Sequence, residues 1–272
     1  MYERFFGLRE NPFKLSPDLK YFLVSGRVER VLDQLFYGLE QGMGFMMITG
    51  PVGVGKTSLL RYFMSLLDER VERAYLFNPN LGDGEELLLF LLRDLGVNGL
   101  KGRRKWRKVE LLERLQGYLL ERYRQGKRVL FIVDDAQAAP YPILEELRLL
   151  SNFETEEEKL FQILLVGQPE LEERIKEDLP QLYQRIAIRA HLAPLDREET
   201  VAYVHHRIAS AGGNPTIFSS RGLKALWKAS RGIPRLINLI ADRALLAGFV
   251  RNSRTIGRKE VKMAVKDLEE GG

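Results

Sequence analysis

The chain has 272 residues, 45% apolar and 29% charged, the profile of a globular protein built as one large domain or two modest ones. Its 42 basic and 37 acidic residues leave a net charge of +5, and the absence of cysteine excludes a disulfide scaffold, a thiolate zinc site and a cysteine nucleophile. No stretch approaches the roughly 20 apolar residues of a membrane-crossing helix. The opening Met1-Tyr2-Glu3-Arg4-Phe5-Phe6 lacks a secretory cleavage pattern, so the expected location is cytoplasmic with no integral membrane segment.

The first 40 residues are rich in aromatics, with Phe5, Phe6, Pro12 and Phe13 reading as packing rather than as a cofactor box. From Gly44 a regular alternation begins. Strands are expected at 45–49, 74–77, 129–134, 161–166 and 186–192, and helices at 56–67, 85–95, 109–124 and 143–150, where apolar residues recur every three or four positions. Strands apolar on both faces and alternating with helices predict a parallel sheet sandwiched by helices. After Pro194 only helices are expected. Asp196 with Glu199 has capping-box spacing, Ser219 or Ser220 caps the next helix, and Gly232-Ile233-Pro234 precedes a long one. The expected division is an α/β domain at 1–194, the aromatic residues 1–43 included, and an all-helical lid at 195–272.

Gly50-Pro51-Val52-Gly53-Val54-Gly55-Lys56-Thr57 has the spacing Gly-x4-Gly-Lys-Thr, after an expected strand and opening an expected helix. Glycines at 53 and 55 let the backbone curl so that successive N–H groups face phosphate oxygens. The helix start adds its positive dipole end, and Ser58 belongs to that first turn. Lys56 reaches the β- and γ-phosphates, and the Thr57 hydroxyl ligates magnesium. Such a loop needs a carboxylate at the end of a neighbouring strand. In Val129–Asp135, Asp134 ends the apolar run as the magnesium-shell residue, acting through water, and Asp135 stands beside the attacking water. The implied cofactors are ATP and Mg2+.

These residues, with Phe5-Phe6-Gly7-Leu8, Asn11-Pro12-Phe13, Asp134-Asp135-Ala136-Gln137, Val166-Gly167-Gln168-Pro169-Glu170-Leu171, Gln184-Arg185-Ile186 and Gly232-Ile233-Pro234-Arg235, resemble the AAA+ ATPases of the ExeA/GspA type over essentially the whole chain. Transposition ATPases of the TniB and MuB kind are related to that group. The resemblance implies that Gln168 is the polar sensor of the γ-phosphate or of water, and that Arg235 reaches back to the γ-phosphate from the lid. It implies a homo-oligomer in which Arg185, or Arg189 in its place, is an arginine finger donated to a neighbour's nucleotide. Asn78, ending the second strand, would restrain the catalytic carboxylate. The implied function is ATP-driven assembly or remodelling of a partner complex in a secretion, pilus or polysaccharide-export system, with inner-membrane attachment through a partner. The rival reading is an ATP-dependent DNA-binding regulator of the transposition type.

The chain departs from that pattern in three places. Asp135 stands where the family carries Glu, which predicts slow turnover. Pro51 and Val54 occupy variable loop positions. The membrane segment and wall-binding domain of several relatives are not found before Gly272, so direct peptidoglycan binding is not implied. The basic run Lys101–Lys108 around Trp106 reads either as a track for a nucleic-acid backbone or as a solvated linker with Trp106 in the core. His205-His206 has no companion ligands, and Glu154–Glu158 reads as a solvated loop. A small-molecule kinase would leave the helical lid unexplained.

Overall fold

In the computed structural model, which describes residues 1–16, 18–100, 106–155 and 158–270, the elements run α1 (Tyr2–Phe5), α2 (Gly26–Glu40), β1 (Phe45–Thr49), α3 (Lys56–Leu66), β2 (Val71–Leu76), α4 (Gly84–Asp94), α5 (Lys108–Arg124), β3 (Arg128–Val133), α6 (Tyr141–Leu150), β4 (Gln162–Gly167), α7 (Pro169–Asp178), α8 (Pro180–Arg185), β5 (Ile186–His191), α9 (Arg197–Ser210), α10 (Ser220–Ser230), α11 (Pro234–Val250) and α12 (Arg258–Glu270). They divide into two compact units. One comprises Glu29–Gly50 and Phe63–Leu192; the other joins Met1–Val28, Pro51–Tyr62 and Ala193–Gly272.

The first, the sheet unit, holds five parallel strands in the order β2-β3-β4-β1-β5. β1 and β4 are buried along their whole length, as the unbroken apolar runs require of strands covered on both faces. β5, at one edge, alternates buried and exposed residues. At the other edge β2 has a backbone N–H, that of Tyr75, taken by the Asp94 carboxylate at 2.7 Å. Leu87, Leu88, Leu91 and Leu92 of α4 are wholly buried, in one core with Phe131 and Phe161. Because the strands are parallel, Thr49, Val133 and Gly167 end at a common edge. Arg128, Gln162 and Ile186 lie at the opposite one.

The second, the helical unit, has a core of its own in which Phe6 and Phe13 join Val204, Leu226, Ala241 and Ile256. Residues 1–28, an N-terminal arm, thus group with the C-terminal helices, while 29–43 stay with the sheet; the sequence division had set all of 1–43 with the α/β domain. Buried Arg207 explains the attachment. Its guanidinium donates to the carbonyls of Pro12 and Lys14 and to the Tyr203 hydroxyl, and it lies over the Tyr21 ring. Within the same arm, Tyr2 and Asn11 donate to Asp242. Burial and this carboxylate push the Tyr2 phenol far above its ordinary value.

Candidate functional site

The phosphate loop belongs, from Pro51 onward, to the helical unit. Gly53 and Gly55 take φ of 78° and 105°, the left-handed side that the repeated glycines anticipate. Lys56 is 8% exposed and its ammonium turns back to donate to the Pro51 carbonyl at 3.1 Å. Thr57 follows in the first turn of α3. Arg235, expected to reach the γ-phosphate, stands beside this loop. The Arg235 N–H donates to the Gly53 carbonyl at 3.1 Å, and a Cβ on Gly53 would fall 2.9 Å from Arg235 Cβ and 3.3 Å from Ile233 Cγ2. Pro234 opens α11, where its missing N–H costs nothing. The turn before it is fixed by Gly232, whose φ is 74° and whose Cβ would sit 1.9 Å from the Leu195 carbonyl oxygen. The Leu195 N–H in return donates to the Gly232 carbonyl.

In the sheet unit, Asp134 follows β3 and is 4% exposed. Its N–H continues the ladder to the Leu76 carbonyl. Oδ1 accepts the Asp135 N–H at 2.9 Å, and Oδ2 accepts the Tyr75 hydroxyl at 2.9 Å. Asp135 sits in the left-handed region at φ 52°, a conformation that aspartate tolerates better than most residues, and its carboxylate is exposed. Gln137 links it to the polar sensor position. Its Nε2 donates to Asp135 Oδ1 at 3.3 Å and its Oε1 accepts the Gln168 N–H at 3.1 Å. Gln168 itself is the N-cap of α7. Gln137 and Tyr75 were absent from the sequence-derived site. Both lie beside named residues, but nothing in their spacing announces the bonds they make.

Other expected residues lie elsewhere. Asn78 accepts the Asn80 N–H at 3.2 Å in a local turn. Arg185 precedes β5, at the amino edge, and donates to Asn152 Oδ1 at 2.6 Å and Ser151 Oγ at 3.1 Å. Arg189 lies 3.8 Å over the Tyr183 ring and donates to the Tyr183 carbonyl. Trp106 is in the core with Arg114 over its ring at 4.7 Å, which removes the base-stacking reading of that residue; Lys101–Lys105 lie outside the described residues. Lys108 pairs with Glu146 at 2.5 Å. Of the acidic loop, Glu154 pairs with Lys159, and residues 156–157 lie outside the described residues. Among the described residues no group of three or more acidic or histidine side chains could hold a metal by itself, and no helix is long and apolar enough to cross a membrane. A cavity of about 350 Å³ in the sheet unit opens at the amino edge, between Gly42, Arg128 and Gln162, and no residue of the expected site lines it.

The residues suit a nucleotide with magnesium. Two glycines hold backbone that other residues adopt with strain, and the buried Asp134 carboxylate and the Thr57 hydroxyl are the hard oxygen donors magnesium takes. A phosphate loop after β1 and an acidic pair after β3 of a parallel sheet define a P-loop nucleotide-binding protein. The AAA domain family model matches residues 39–175, and the chain belongs to that family. It is 41% identical, over 98% of its own length, to general secretion pathway protein A of Aeromonas hydrophila, and spans 48% of that protein, about half. Among solved structures it is similar to the Aeropyrum pernix ORC2 protein in its ADPNP–ADP complexes, with TM-score 0.69 and 20% identity over 95% of this chain and 71% of that one. The Thermotoga maritima RuvB Holliday junction branch migration motor gives 0.58 and 18%, over 94% and 73%. At such identities the fold is what is shared.

Proposed function

We propose that this chain binds and hydrolyses Mg-ATP and uses the cycle to drive assembly or remodelling of a partner complex in a secretion, pilus or polysaccharide-export system at the cytoplasmic face of the membrane. The observation that carries the reading is the 41% identity to general secretion pathway protein A over 98% of this chain. Bound magnesium neutralises charge on the β- and γ-phosphates. The loop N–H groups and Lys56 hold the phosphates, and Thr57 and Asp134 hold the metal, Asp134 through water. Asp135 orients the attacking water, with Gln168 nearby to donate to phosphate and accept from water. Arg235 adds a permanent positive charge from the helical unit.

Arg185 is proposed to act on a neighbour's nucleotide. It precedes β5 at the amino edge, whereas Asp134 follows β3 at the carboxyl edge, and a six-residue strand separates those edges by about 20 Å. The test mixes two inactive chains. Arg185→Ala keeps an intact site, Asp135→Asn keeps an intact finger, and mixed oligomers should regain a measurable part of wild-type ATP hydrolysis. No recovery at any mixing ratio would sink the trans assignment. The shorter Asp135 is expected to make turnover slow, so Asp135→Glu should raise kcat several-fold; an unchanged kcat contradicts this.

A second reading, duplex-DNA binding that depends on ATP, is favoured by charge. The three segments of the helical unit hold 21 basic and 11 acidic residues, a net +10, against −5 for the rest of the chain. Arg221, Lys224 and Lys228 form an exposed stripe on α10, and Lys259, Lys262 and Lys266 another on α12. Fluorescence anisotropy with duplex DNA at physiological salt decides. Tight binding that needs ATP and is lost in Lys56→Ala supports DNA regulation; weak, nucleotide-indifferent binding is ordinary basic-surface attraction.

A further inference from the structure

We propose that Tyr75 is a positioning residue for the metal-binding carboxylate, its hydroxyl locking Asp134 in the orientation that magnesium's water shell requires. This rests on the reading of Asp134 as the magnesium-shell residue. Tyr75 pairs with Ile132 in the register of β2 and β3. Side chains two positions apart on a strand share a face, so Tyr75 is the diagonal neighbour of Asp134, within reach of an aromatic side chain. The tyrosine is held at both ends. On the open edge its backbone N–H is bound by Asp94, and across the face its hydroxyl donates to Asp134 Oδ2 at 2.9 Å. The other carboxylate oxygen accepts the Asp135 N–H. Two donors on two oxygens stop rotation about the Cβ–Cγ bond, and a carboxylate with about four lone-pair sites keeps the rest for other donors. Magnesium demands near-octahedral geometry and retains several waters, so an acceptor fixed in orientation suits it better than a rotating one. Loss of such an outer partner typically weakens metal binding by about 10- to 100-fold.

The experiment reads metal binding without turnover, by electron paramagnetic resonance of Mn2+ titrated into the full chain with a non-hydrolysable ATP analogue. Wild type, Tyr75→Phe, Asp134→Asn and the double variant are compared, and affinity for a fluorescent nucleotide is measured in EDTA. Tyr75→Phe should weaken Mn2+ by about tenfold and Asp134→Asn by more. The double variant should be no weaker than Asp134→Asn, and metal-free nucleotide affinity should be the same in all four. Wild-type Mn2+ affinity in Tyr75→Phe, with Asp134→Asn impaired, overturns the role of Tyr75 and leaves Asp134 in place. Additive effects in the double variant also overturn it, because Tyr75 would then act elsewhere. So does a lowered heat-unfolding midpoint with metal affinity intact, the mark of a purely structural residue. Wild-type Mn2+ affinity in Asp134→Asn overturns the reading of Asp134 itself.

Discussion

The phosphate loop and the acidic pair are held by opposite means. In the helical unit the parts that matter are fixed through backbone: Gly53 offers its carbonyl to the Arg235 N–H and has no room for a methyl group, and Gly232 is pressed against the Leu195 carbonyl. In the sheet unit, side chains do the holding, with Tyr75 on Asp134 and Gln137 between Asp135 and Gln168. A backbone-held feature admits one residue type and fails outright when that is changed. A side-chain-held feature survives substitution and loses orientation instead.

The sharpest break of this contrast is Gly232→Ala. The added carbon would meet an oxygen at 1.9 Å in a backbone already at φ 74°, so no rotamer relieves it. We expect a loss of about 3 kcal/mol or more in urea unfolding, and a loss below about 1 kcal/mol would contradict the steric account. Gly53→Ala should cost less, about 1–2 kcal/mol from its left-handed φ, together with weaker nucleotide binding as Arg235 is displaced. Binding equal to wild type would separate the loop from the arginine turn. On the side-chain-held half, Gln137→Ala should leave the fold intact and lower ATP turnover by about tenfold, the equivalent of about one hydrogen bond. A kcat within twofold of wild type would remove Gln137 from the site.

The smallest effect concerns pH. Burial alone would raise the Glu72 carboxyl, but the Tyr118 hydroxyl, the Lys127 ammonium and Arg122 hold it below its ordinary value of 4.5. A depressed folded value means that stability from Glu72 is complete above its ordinary value and is lost as pH falls through the folded one. Glu72→Gln should therefore be less stable than wild type near pH 7, by under about 1 kcal/mol, and the two curves should converge in acid. Parallel curves would dispute the cluster around Glu72.

The central strands β1, β3 and β4 were legible because each is almost wholly apolar. The expected range at 45–49 is that of β1, and the others differ by one to three residues at their ends. Helices α7 and α8 were missed. Each opens with a proline, Pro169 or Pro180, in its first turn, where a missing N–H is no loss. The aromatic arm hid α2, and it hid its own attachment, since a bond from Arg207 to Pro12 spans 195 positions and leaves no periodic trace. The candidate site divides the same way. Glycine-rich phosphate loops are written in adjacent residues, so Gly50–Thr57 was readable at once. Tyr75 and Gln137 reach their partners through strand register and turn geometry, which no local spacing encodes.

A unit assembled from segments far apart in a chain also has a history in time. Residues 29–50 and 63–192, which hold the whole sheet, are synthesised before Arg207. The arm is made before the sheet and must wait for some 180 further residues, on the order of ten seconds or more at typical synthesis rates. During that wait Tyr2, Phe6 and Phe13 have none of the C-terminal helices to pack against. Residues 1–28 are therefore the part of the nascent chain most in need of shelter, and a chain cut just before residue 207 would hold every strand of the sheet but not the arginine that ties Pro12 and Lys14 down.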